Sequence, residues 1–171
     1  MTVSKTAAVD LAKATHRKDP AEGAAESPAL QMGELSELLG YSLKRAQLKV
    51  FEDFLRCVAP LQLTPAQFSV LLLVDRNPGR NQTEIANTLG ILRPNFVAML
   101  DGLESRELCA RMRSTNDRRS HILVLTDKGR AVLARAKKLV AAKHEARLNE
   151  LLGPANRAAL LAMLAKIASE F

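Results

Sequence analysis

Tryptophan is absent from this 171-residue chain, and five Phe and one Tyr are its only aromatic residues. A protein that binds single strands by stacking bases needs exposed aromatic rings, and here the few rings fall mostly on apolar helical spacings. Cysteine is scarce as well. Cys57 and Cys109 are too few and too far apart for a disulfide framework. The histidines His16, His121 and His144 are scattered, so no set of Cys, His and carboxylate has metal-ligand spacing. No nucleophile motif or phosphate loop occurs, and the expectation is a non-enzyme with no cofactor or metal. No apolar run is long enough to span a membrane, and the N-terminus lacks the apolar core of a signal peptide. A cytoplasmic protein with no membrane partner is expected.

What is present points to helices and to an anion. Hydrophobic residues make up 47% of the chain and the formal net charge is +7. A basic domain is suited to nucleic acid or phosphorylated ligands. Within residues 1–28, rich in Ala, Lys and Glu with Pro20 and Pro28, cations and acids balance. This segment reads as a flexible tail, and the positive excess belongs to residues 29–171.

Residues 29–62 hold a first long helix. From Glu34, Leu35, Leu38, Leu39, Leu43, Ala46, Val50, Phe54 and Val58 recur at helical steps up to Pro60. Residues 63–130 read as a winged helix-turn-helix. Thr64-Pro65 restarts a helix with a cap residue followed by Pro. Asn81 and Glu84 form a capping-box pair for the next helix, which Gly90 ends. A further helix begins near Pro94, with Phe96, Val97, Leu100 and Leu103 on its core face. Two β-prone runs come next, Leu108 to Thr115 and His121 to Leu125, with a turn-rich connection between them. His121 shares strand parity with Leu123 and Leu125, so packing is its expected role. After Thr126 a long helix runs to about Leu152, Gly153-Pro154 breaks it and a last helix follows; residues 131–171 read as the outer dimerisation helices. These helices and the first one carry apolar stripes with nothing to cover, which implies a second copy of the chain. The fold class is mainly α, a winged helix-turn-helix with N- and C-terminal dimerisation helices.

The hairpin poses a question of its own. A chain reversal needs Asn, Asp or Gly, yet this one carries Arg118 and Arg119 side by side. From Arg106 to Arg119 there are five arginines against two acids. A basic hairpin behind a helix-turn-helix is a wing: the second helix enters the major groove of double-stranded DNA and the hairpin reaches the flanking backbone. Arg118 and Arg119, with Arg111 and Arg113 on the strand, would neutralise phosphates. A nonspecific architectural nucleic-acid-binding protein is the competing class.

This order resembles the MarR family of bacterial transcriptional regulators. The stretches that carry the likeness are LTPAQFSVLLLVDRNPGRNQTEIANTLGI, RPNFVAMLDGLESREL and NDRRSHILVLTDKGRAVL. The resemblance implies a homodimeric repressor on a pseudo-palindromic operator, working at the bacterial nucleoid, with DNA affinity lowered by a small ligand or by thiol oxidation. It makes Asp117 the wing acid that holds an arginine in place, and Arg118 and Arg119 the DNA-contacting pair. It puts Gln82 and Thr83 where the supporting helix meets phosphates, and Arg93, Pro94 and Asn95 at the start of the recognition helix. Asn95 suits an adenine edge, and Arg93 guanine or phosphate. Many members carry a cation four residues after Pro94; this chain has Ala98, which shifts weight to Arg93, Asn95 and the wing.

Within the family, LGYSLKRAQLKVFEDFL resembles the first helix of the repressors of coumarate and ferulate catabolism, which respond to an aromatic acyl-coenzyme A. On that likeness the effector site would comprise Tyr41, Lys44, Arg45, Leu48 and Phe51, with Phe68 and Leu72. The cations suit phosphate or carboxylate and the apolar residues an aromatic ring. The same residues read equally as ordinary core and solvated surface. Cys57, beside Arg56, is the alternative sensor, a thiol open to oxidation if exposed. Cys109 reads as a small structural hydrophobe.

Overall fold

The computed structural model describes residues 30–113 and 121–170, and the tail expected over 1–28 lies outside them. A 3-10 turn, Gly33–Glu37, precedes α1 (Leu39–Val58). Here the sequence reading of one unbroken helix from Glu34 is corrected. Leu38 is extended (φ −74°, ψ 117°), and Leu35 and Leu38 are exposed, so no packing surface holds the first turns in register. α1 ends in a second 3-10 turn, Ala59–Leu61, and Gln62 adopts a left-handed φ of 48°. The chain thereby turns an elbow into α2 (Pro65–Arg76).

The helix starts match the sequence closely. Thr64 caps α2 reciprocally with Gln67, and Asn81 caps α3 (Gln82–Thr88) reciprocally with Glu84. Gly90, at φ 62°, closes α3 in the left-handed conformation that glycine adopts at no steric cost. α4 (Arg93–Ser105) begins three residues later, then come β1 (Cys109–Arg113) and β2 (His121–Leu125). The strands pair antiparallel, from Cys109 opposite Leu125 to Arg113 opposite His121. Asn81 bridges to Ile122, so the start of α3 lies along the hairpin's outer edge.

Phe96, Leu71, Leu100, Leu103, Leu108, Leu123 and Leu133 are almost wholly buried at the centre. Each such side chain contributes about 2 kcal/mol through burial. The burial of Leu123 and Leu125 bears out the strand parity, but His121 is exposed, which corrects its expected packing role. The hairpin outruns the core, and His121 sits at its far end opposite Arg113.

α5 (Asp127–Leu139) starts at a Thr126 cap and passes through a π turn, Val140–Glu145, into α6 (Ala146–Glu170). Its third residue, Gly129, is buried so tightly that a Cβ there would collide with the carbonyl oxygen of Leu108. The division proposed at residue 130 thus falls inside a helix clamped to the hairpin. α6 is kinked where expected, at Gly153 (φ 71°) before Pro154. One 18-residue window within Asp127–Glu170 reaches a mean hydropathy of 1.2, in a helix that Gly153 kinks. Its apolar residues Leu151, Leu160, Leu161 and Met163 are exposed, which is the surface the sequence assigned to dimerisation.

Candidate nucleic-acid interface and effector site

The helices α2, α3 and α5 begin under a side-chain cap; α1 and α4 do not. Leu92 precedes α4 with no capping hydrogen bond and is 74% exposed. The first turn of α4 therefore leaves its amides and the positive end of its dipole to an outside acceptor. Arg93, Pro94 and Asn95 are all exposed there, while Phe96, Leu100 and Leu103 bury the opposite face. Thr83 is exposed and Gln82 half-buried at the start of α3. The amides of Thr83 and Glu84 are both held by Asn81 Oδ1, at 2.9 and 3.0 Å. At this position Gln82 and Thr83 have only side chains and the Gln82 amide to offer.

Of the wing arginines, Arg113 is exposed on β1. Arg111 is half-buried and turns toward α4. It reaches back to α4, with Nη2 2.7 Å from Asp101 Oδ1 and Nη1 2.9 Å from Glu104 Oε2. Its own amide donates to Glu104 Oε1 at 2.8 Å. Arg111 neutralises two acids on α4 and fixes the hairpin to that helix. Asp117, Arg118 and Arg119 lie outside the described residues.

On α1, Leu48, Phe51 and Leu55 form an apolar flank, 57%, 43% and 46% exposed. Lys44 and Arg45 are exposed beside it, and the Arg45 guanidinium lies 6.0 Å from the centre of the Tyr41 ring. Phe68 and Leu72 on α2 are half-buried against the core. The ring that meets Phe68 is that of Phe54, with centroids 5.5 Å apart, not that of Phe51. Phe54 is buried and Phe51 is one step round the helix toward the open side.

Phe54 also meets His144 edge-on, with centroids 5.6 Å apart. His144 is 4% exposed in the π turn and shares a hydrogen bond of 2.8 Å with Asp53 through Nδ1. Arg147 Nη1 lies 2.8 Å from the other oxygen of Asp53. The hydrogen bond from His144 and then the Arg147 charge hold the Asp53 carboxyl below its ordinary range, against the desolvation that raises it. This cluster ties α1 to the α5–α6 junction. Sequence reading missed it, because its partners are ninety residues apart and only the spacing of His144 and Arg147 is local.

Neither thiol is placed for sensing. Cys57 is buried and its Sγ–H donates to the carbonyl of Leu139 at 3.1 Å, so the exposure required of an oxidation sensor is missing. Burial, with Glu104 nearby, pushes the Cys109 thiol up to about 11, which keeps it protonated and inert. No cluster able to hold a metal ion occurs among the described residues.

An uncapped, cation-bearing recognition helix braced by a basic hairpin defines a winged helix-turn-helix DNA-binding protein. The chain belongs to the MarR family: residues 63–121 match the family's profile. An HTH-type transcriptional repressor of Mycobacterium tuberculosis (strain ATCC 25618 / H37Rv) is 30% identical over 132 residues, 77% of this chain and 94% of the repressor. A transcriptional regulatory protein for the hcr operon of Thauera aromatica is 29% identical over 153 residues, 89% of this chain and 90% of that one. Among solved structures the chain is similar to the transcriptional repressor CouR. CouR bound to a 23-mer DNA duplex is 81% identical, with a TM-score of 0.79 over 82% of this chain and 99% of that one. CouR bound to p-coumaroyl-CoA is 78% identical, with a TM-score of 0.79 over 84% of this chain and all of that one, 100%.

Proposed function

We propose that this protein is an operator-binding transcriptional repressor, not an enzyme, which an aromatic acyl-coenzyme A of the hydroxycinnamoyl type releases from DNA. The observation that carries this reading is the likeness to CouR, which has been solved both on DNA and with p-coumaroyl-CoA. The geometry supports it independently at two places. Arg93 and Asn95 stand at the uncapped start of α4, where a helix entering the major groove reads base edges. Arg113, exposed on β1, adds a cation beside that surface. As a DNA-binding regulator it acts in the cytoplasm; residence at the nucleoid belongs to this proposal.

The effector would use the open flank of α1. Leu48 and Phe51 on α1 and Phe68 and Leu72 on α2 suit the aromatic acyl group by chemistry; Lys44 and Arg45 suit the coenzyme's phosphates. A coenzyme A ester also brings several negative charges to a surface built for phosphate. Filling the flank and adding charge both disfavour the DNA-bound state, and by linkage DNA disfavours the ligand equally.

Operator binding measured by fluorescence anisotropy tests this. p-Coumaroyl-CoA is expected to release DNA at least about tenfold more effectively than free p-coumaric acid, a difference of about 1.4 kcal/mol. Lys44→Ala with Arg45→Ala should blunt the response and leave DNA affinity nearly intact. Equal potency of acid and thioester would refute the coenzyme A part, and retention of operator in the presence of both would refute the effector reading.

A further inference from the structure

Arg106 ends α4, yet its side chain serves a distant part of the chain. Nη1 donates to the carbonyl of Gln62 and Nη2 to that of Leu61, each at 2.7 Å, across more than forty residues of sequence. These are the carbonyls of the elbow between α1 and α2, brought to one fork by the left-handed turn at Gln62. Two charge-assisted bonds to a rigid planar group are short and directional.

Both ends of the contact are stiff. On the elbow, Leu61 and Leu63 are buried on either side of Gln62. At the helix end, the amides of Glu107 and Leu108 donate to the carbonyls of Glu104 and Leu103 at 2.8 and 2.9 Å, closing a Schellman turn around Arg106. Leu103 and Leu108 are fully buried beneath it.

We propose that Arg106 is a positioning residue that couples the effector flank to the recognition helix; this rests on the reading of α1 and α2 as the effector site. Leu48 and Phe51 lie upstream of the elbow and Phe68 and Leu72 downstream. A ligand seated on α1 that alters the angle at which α1 and α2 meet loads the elbow between them. The Arg106 fork hands that change to the C-terminal end of α4. The helix is 13 residues long, a stiff rod of about 20 Å. A displacement at one end moves Arg93 and Asn95 at the other. An arginine that merely stabilised the elbow would lower the melting temperature without touching the coupling, and the test separates these roles.

Arg106→Gln and Arg106→Lys are compared with wild type, with p-coumaroyl-CoA as probe. Ligand affinity is measured without DNA, and operator affinity with and without saturating ligand; the ratio of the two operator affinities is the coupling factor. Arg106→Gln should bind ligand within about twofold of wild type and lose at least about fivefold in coupling factor. Arg106→Lys, able to reach one carbonyl, should fall between the two, and it carries the test if Arg106→Gln does not fold. A wild-type coupling factor in a folded Arg106 variant, even one with a lowered melting temperature, overturns the coupling role alone. A wild-type protein that keeps its operator in saturating thioester refutes the effector reading, and the coupling role with it.

Discussion

Glu107 is a non-glycine residue at a position that asks for glycine. Its φ is 59°, and it occupies at the end of α4 the place that Gly90 holds at the end of α3. The side chain offsets part of the strain: Lys128 Nζ lies 2.9 Å from Glu107 Oε2, and the carbonyl of Glu107 accepts the Thr126 hydroxyl at 2.6 Å. A left-handed backbone costs a residue with a Cβ about 1–2 kcal/mol, more than most exposed ion pairs contribute. Glu107→Ala removes the pair and keeps the strain; Glu107→Gly removes both. The glycine variant should melt about 2–4 °C above the alanine variant by calorimetry, and equal midpoints would show that the backbone is unstrained. Arg111 teaches the complementary lesson about legibility. Its charge was plain in the sequence, but its direction was not, because Asp101 and Glu104 become its partners only when the hairpin folds back on α4. Residues that act locally, such as Thr64, Asn81 and Gly90, were legible as caps because capping is settled within four positions of the chain.

At the scale of elements, the winged domain was legible almost entirely and the first helix only partly. Hydrophobic period specifies α2 to α5, with cap residues at the starts of α2, α3 and α5, whereas the turn before α1 depends on a packing surface that the apolar stripe alone does not reveal. The Asp53 cluster is likewise a property of two packed elements, α1 and the π turn. π turns inside helices recur at functional sites, and this one lies where the winged domain passes into α6. Asp53 has a lowered folded-state pKa, so its contribution is fully present above the unfolded value and is lost as pH falls through the folded one. Wild type should therefore lose this contribution on acidification below about pH 4. Asp53→Asn should melt about 5 °C lower at pH 7 and show a shallower acid limb. Parallel melting curves for the two proteins from pH 3 to 7 would refute the linkage.

The whole molecule leaves too much apolar surface for a lone chain. Leu35, Leu38 and Leu39 are exposed at one end, and Leu160, Leu161, Met163 and Leu164 along α6. A groove of about 670 Å³ runs between α1 and α6, floored by Gly40, Leu43, Ala46 and Val50. Sedimentation at low micromolar concentration should give about twice the 18.7 kDa chain mass. A stable, folded monomer there would undo the dimer, and with it a pair of recognition helices one turn of DNA apart, about 34 Å. The close approach of Gly129 to Leu108 bears on anyone who would rebuild this protein as a biosensor. A chimera spliced at residue 130 keeps Gly129 against Leu108 but cuts α5 after its fourth residue, so any foreign helix must continue that helix in register. The workable seam is further along, at the π turn, where the borrowed module would bring its own counterparts of His144 and Arg147 to Asp53.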